Sequence, residues 1–218
     1  MKAILVVCIL MLCCGIGYAD LIGPNCGSCF GSTYKLTNLG LQSTAGDTET
    51  WRIELEIDTS GYNGNASFLN AVAVGVTSDA ISATLPLFPL VRADWSDPVV
   101  VGNLNANGCH SGNANNACVQ WVPAGSPYGL AVNAPTPYTW DFDIVMGENT
   151  LKTGASKAHV AALYVDSKGK HNGISSEDIT LGPGNVDPPN VPEPASVLLL
   201  GTALFLTART IRRHGSHS

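Results

Sequence analysis

The 218-residue sequence predicts an all-β body, an antiparallel two-sheet β-sandwich of jelly-roll or immunoglobulin-like topology, with an apolar helix at each end of the chain. Three observations predict it. Apolar and polar residues alternate with period two in the strongest segments of the body. Its turns are marked at short intervals, the whole chain holding 23 Gly and 13 Pro. No stretch of the body carries a convincing amphipathic helical period.

The elements follow in chain order. Residues 1–19 read as a signal peptide: Met1-Lys2 is a positive start, 3–16 is an apolar core, and Gly17 and Ala19 are the small residues a signal peptidase reads. Cleavage after Ala19 leaves Asp20 first. Lipid attachment at Cys13 or Cys14 is disfavoured, because Leu12 and Cys13 stand where a small residue is needed.

Residues 20–190 form the body. Strongest is the segment 51–58, where Trp51, Ile53, Leu55 and Ile57 alternate with Arg52, Glu54, Glu56 and Asp58. Such alternation places one face on a core and one in water. The segment 138–144 repeats the device, with Tyr138, Trp140, Phe142 and Ile144 inward and Asp141 and Asp143 outward. Seven further strands are expected at 34–39, 69–78, 80–85, 118–122, 128–132, 159–165 and 174–181. Residues 71–76 are apolar at successive positions and suit a central strand covered on both sides, with Gly75 marking a bulge. A short helix near 87–95 competes with three prolines, Pro86, Pro89 and Pro98. The segment 102–117, rich in Asn and Gly, reads as a long polar loop. Within it Asn113, with Trp95 and Trp121 as stacking faces, suggests a saccharide site, against the plainer reading of a pinned surface loop.

Cysteine usage bears on compartment. Cys8, Cys13 and Cys14 leave with the signal peptide, and four cysteines remain, an even set suited to an oxidising space. Local pairing is favoured: Cys26 with Cys29, and Cys109 with Cys118. Cys26-Gly-Ser-Cys29 superficially matches a thioredoxin-type redox pair, but no helix period follows it. Zinc ligation would need a second Cys-x-x-Cys knuckle, and the other spacing is wider.

Charge and motifs narrow the function. Lys2, Arg209, Arg212 and Arg213 lie in the terminal segments, so the body keeps seven of 11 basic residues and sixteen of 17 acidic ones, a net of −9. That balance argues against nucleic acid and anionic lipid as partners. No nucleophile elbow, P-loop, dinucleotide fingerprint or His-Glu-x-x-His sequence occurs, so no catalytic residue and no cofactor is assigned. Of the body's three histidines, His110 is the one candidate to join three thiols in a zinc site, while His159 and His171 have no evident partner nearby in sequence and are read as solvated. Asp141 and Asp143 share a strand face, which makes them weak calcium candidates and a remote acid pair for glycoside hydrolysis. Outward acids on such a strand are more commonly a solvated face.

The tail, 191–218, has three parts. Pro192-Glu193-Pro194 comes first, an apolar run at 195–208 follows, and Arg209, Arg212 and Arg213 close it. Fourteen helical residues span roughly 21 Å, short of a ~30 Å hydrocarbon core, and arginine snorkelling extends the reach. The basic end favours the cytoplasmic side, leaving the body outward. This order resembles the PEP-CTERM sorting signal of exported proteins in Gram-negative bacteria. The resemblance covers the tail alone. It implies processing by an exosortase, transient residence in the inner membrane, and delivery to the cell surface or extracellular matrix, in association with exopolysaccharide or biofilm. The expectation is therefore an exported, non-enzymatic surface or matrix protein, with signal peptidase and exosortase as processing partners. A carbohydrate-binding module, with or without calcium, is the alternative, and a secreted hydrolase a remoter one.

Overall fold

The computed structural model describes residues 19–77, 79–86, 94–96, 99–112, 116–147, 151 and 156–182. All of them lie in one compact unit, Met1–Pro188. The signal segment before residue 19, residues 87–93 of the helix expected near 87–95 and the whole tail fall outside the described residues, and Trp95 at the end of that span makes an isolated β-bridge to Trp121.

Twelve strands are described: β1 Ala19–Ile22, β2 Thr33–Ala45, β3 Thr48–Asp58, β4 Phe68–Gly75, β5 Ser82–Thr84, β6 Val100–Asn105, β7 Gly108–Ser111, β8 Asn116–Gln120, β9 Leu130–Ala131, β10 Tyr138–Gly147, β11 Ser156–Val165 and β12 His171–Leu181. They form two antiparallel sheets. One is five-stranded in the order β1-β2-β3-β10-β5; the other is seven-stranded, ordered β12-β11-β4-β8-β6-β7, with β9 also on β4. The two sheets close over a shared apolar core, as the alternating segments require.

That core is built from the predicted positions. Trp51, Ile53, Leu55 and Ile57 of β3 and Trp140, Phe142 and Ile144 of β10 are buried against Leu69, Val72 and Val74 of β4 and Val160, Ala162 and Tyr164 of β11. Each large aliphatic or aromatic side chain fully buried here contributes about 1.5–3 kcal/mol. Register explains the aromatic layering: Trp140 lies opposite Leu55, Phe142 opposite Ile53, and Ile144 opposite Trp51. A buried polar link crosses between the sheets, where the Tyr34 and Tyr164 hydroxyls meet at 2.6 Å and Tyr164 donates to Ser32 Oγ at 3.1 Å. Strand β4 is covered on both sides, as its composition predicts. Val72 and Val74 face the main core, while Ala71 and Ala73 join a second cluster with Leu104, Cys118, Ala161, Leu163 and Val165.

Three expectations are corrected. The segment 102–117 is no open loop: it holds β7 and parts of β6 and β8. Gly102 pairs with Ser111 and Leu104 with Cys109, and β6 pairs β8 through Val100 and Cys118. Its composition reads as turn because Asn103 and Asn105 are the outward members of an alternating strand whose inward members are Gly102 and Leu104. Gly108, at φ 100°, closes the hairpin in a conformation that only glycine adopts without strain. Gly75 is not a bulge either. It pairs in register with His159, and the irregularity sits lower in β4, between the Leu163–Ala71 and Tyr164–Leu69 pairs. Gly75 is needed for space, since the position of a Cβ there is filled by the Asn116 side-chain amide. Finally, β2 runs on from 39 to Ala45 through two register shifts. Asn38, 2% exposed, manages the first: its Oδ1 accepts from Gly40 N at 3.0 Å.

Candidate functional site

Among the described residues, four places hold chemistry-bearing side chains. The first is the aromatic cluster around Trp95. Trp95 is 2% exposed and packs edge-on to Trp121, with ring centroids 6.0 Å apart, and to Trp140 at 5.2 Å. A ring enclosed in this way offers no face to a sugar, so Trp95 is a core residue and not a stacking platform. Trp121, bridged to Trp95 through its backbone, is half-buried. Asn113 lies outside the described residues. The structure therefore brings Trp95 and Trp121 together as packing, which sequence alone could not distinguish from a binding face.

The second place is the outward face of β3 and β10. Cross-strand register sets Asp143 opposite Arg52 and Asp141 opposite Glu54. Arg52 grips both Asp143 oxygens, Nε to Oδ1 at 2.7 Å and a terminal nitrogen to Oδ2 at 2.8 Å. Two parallel charge-assisted bonds leave Asp143 committed to Arg52 and not to calcium. Asp141, though on the same face, belongs to a different pair. Partial burial pushes its carboxyl above the usual range; Arg52 pulls it back and Asp143 adds to the rise. Glu54 is raised by burial and then by the charge of Asp141. Asp141 and Asp143 are thus split between a like-charge pair and an ion pair. The alternation had located both acids; their partners on β3 follow only from register.

Third are the cysteines. Cys26 and Cys29 sit with Cα atoms 5.3 Å apart, and Cys109 and Cys118 at 5.6 Å, both at disulfide distance and paired locally as expected. The Cys26–Cys29 loop is docked on the edge of β12. Ser28 donates through N and Oγ to Glu177 Oε1, at 2.9 and 2.7 Å, and Ser28 Oγ accepts from Ser176 N at 3.0 Å. The two sulfurs and a Glu177 oxygen lie within 4.8 Å of one another. Joined to each other, the sulfurs have no thiolate to offer a metal.

The fourth place was hidden in the sequence. His159 of β11 stands opposite Asp178 of β12 and diagonal to Ser176, which pairs with Ala161. Its Nδ1 lies 3.0 Å from Asp178 Oδ1 and its Nε2 lies 3.1 Å from Ser176 Oγ. His159 is therefore not simply solvated. Beside it is a depression of about 310 Å³ lined by Gly75, Thr77, Asn116, Lys157, Ala158, His159 and Asp178. The signal available in sequence was faint: Ser176 and Asp178 share one face of a strand, and the histidine joins them only through a neighbouring strand. His110 and His171 are exposed on β7 and at the start of β12.

Of the processing residues, Ala19 opens β1 opposite Thr37, and Asp20 follows opposite Leu36. Asp20 Oδ2 accepts from Thr180 N on β12 at 2.9 Å. Pro192, Glu193, Pro194, Arg209, Arg212 and Arg213 lie outside the described residues. Compared with known proteins, the chain matches no family and no curated protein.

Proposed function

We propose that this chain is an exported protein of the bacterial cell surface or extracellular matrix. It is carried out by its N-terminal signal and delivered by a PEP-CTERM-like tail through exosortase processing. On this reading the β body works by structure or binding in the matrix and not by turnover. The observation that carries the proposal is the pairing of both body cysteine pairs at disulfide distance within an acidic body, between two sequence segments that read as export signals. The start of the folded body supports it as well. Asp20, the first residue left by cleavage after Ala19, already caps the β12 edge through its side chain, so removal of residues 1–19 takes only one pairing position from β1.

Intact mass spectrometry of the protein recovered from its native host tests the proposal. The expected product starts at Asp20, lacks or has exchanged everything past Pro192-Glu193-Pro194, and carries no free thiol. A cytosolic product with both ends intact and four free body thiols would overturn it.

A further inference from the structure

The line Ser176–His159–Asp178 has the connectivity of an activated hydroxyl. A carboxylate oxygen facing Nδ1 holds the proton there, because Asp178 can only accept at neutral pH. Nε2 is then left with its lone pair toward Ser176 and accepts the hydroxyl proton. The arrangement is that of a nucleophile, a base and a group that orients the base. Its setting is suited to an incoming reactant. Ser176 is exposed, so its hydroxyl is approached from solvent. His159 and Asp178 form one wall of the depression, and Asn116 and Lys157 line it with them. The Asn116 amide reaches over this wall only because residue 75 has no side chain.

We propose that Ser176 is a nucleophilic serine, with His159 as its general base and Asp178 as the positioning residue, and that it takes an acyl group from carboxylic esters. Ser176 Oγ attacks the ester carbonyl carbon as its proton passes to His159 Nε2. The bond from that carbon to the alcohol oxygen then breaks, and the Nε2 proton leaves with the alcohol. The products are acyl-Ser176 and a free alcohol, with no change of oxidation state. Ser176 N already donates to Ser28 Oγ, so the usual backbone donor for the tetrahedral oxygen is occupied. The side-chain donors Thr77, Asn116 and Lys157 line the depression on the far side of His159, which Ser176 itself does not line, and a site lacking paired backbone donors is expected to acylate more readily than it deacylates. The inference does not depend on the export reading.

The test uses the full chain and p-nitrophenyl acetate, with nitrophenolate release followed by peptide mapping of the acetyl group. The expected result is a burst of one equivalent with the acetyl on Ser176. Ser176→Ala should abolish the burst, and His159→Ala should slow it about 100-fold. Free imidazole should restore part of the rate to His159→Ala and none to Ser176→Ala, a rescue that a merely structural histidine would not show. Asp178 is 91% exposed, so Asp178→Asn should cost only about tenfold. Acetyl found on Lys157 or scattered over other hydroxyls, or a burst unchanged in Ser176→Ala, overturns the proposal. Sustained turnover through Ser176 would uphold the nucleophile and overturn the non-catalytic part of the function proposed above.

Discussion

At the scale of single residues, the main polar decision in the core is the Tyr34–Tyr164 contact. Burial raises both phenols, Tyr34 well above the ordinary value and Tyr164 to about 12, with charge repulsion between the phenols adding to the rise at Tyr34. A raised folded value means that the stabilising contribution is complete below the unfolded value of ~10 and is lost as pH climbs through the folded value. Thermal unfolding midpoints should therefore fall steadily from about pH 10 upward, and Tyr164→Phe should flatten that fall. The same variant should cost about 1–3 kcal/mol at neutral pH, because it leaves Tyr34 with a buried hydroxyl to satisfy. Glu54 gives the opposite lesson. Its raised carboxyl is favourable only when protonated, below the ordinary glutamate range, and that contribution disappears as pH rises through the folded value. At neutral pH the Glu54–Asp141 pair is a cost, so Glu54→Gln should raise stability by less than about 1 kcal/mol, the pair being half-exposed and screened. Chemical denaturation at neutral pH that shows a loss instead would mean that Glu54 has a stabilising role not visible in its register.

At the scale of elements, legibility tracked how much each strand owes to its own sequence. β3 and β10 alternate without interruption and were readable to within a few residues, because one face of each must enter the core. β6 and β7 were not. Their buried or half-buried positions Gly102, Leu104, Gly108 and Cys109 are too small or too few to register as a period; β6 holds its place by pairing with β8, and β7 by pairing with β6. β1 was hidden for another reason, since it directly follows the apolar signal core. The Cys109–Cys118 pair then ties β7 to β8 across a separation of nine residues. Loop-closure entropy puts such a bridge at about 2.5 kcal/mol. The double variant Cys109→Ser, Cys118→Ser should lose that amount and raise amide exchange first in β6 and β7, with β3 and β10 least affected. Uniform loss of protection throughout would show that the hairpin is not a separate stabilised unit.

At the scale of the whole molecule, both sheets depend on one core, and a cavity in either should weaken both. Phe142 is fully buried within the cluster that spans them. Phe142→Ala should cost about 3–5 kcal/mol in a single cooperative transition. Hydrogen exchange should then quicken in β11 as well as in β10. A biphasic unfolding curve would instead mean that the sheets melt separately.

The sequence by itself determined the class of the fold and the inward faces of β3 and β10, and favoured the local cysteine pairs without deciding them, because periodicity and short spacing are properties of adjacent residues. Only the tertiary structure decided that Trp95 is enclosed, that Asp143 is held by Arg52 while Asp141 faces Glu54, and that His159 meets Ser176 and Asp178. Those relations are set by which strands pair and in what register, and register depends on residues far apart in the chain, where no local pattern records it.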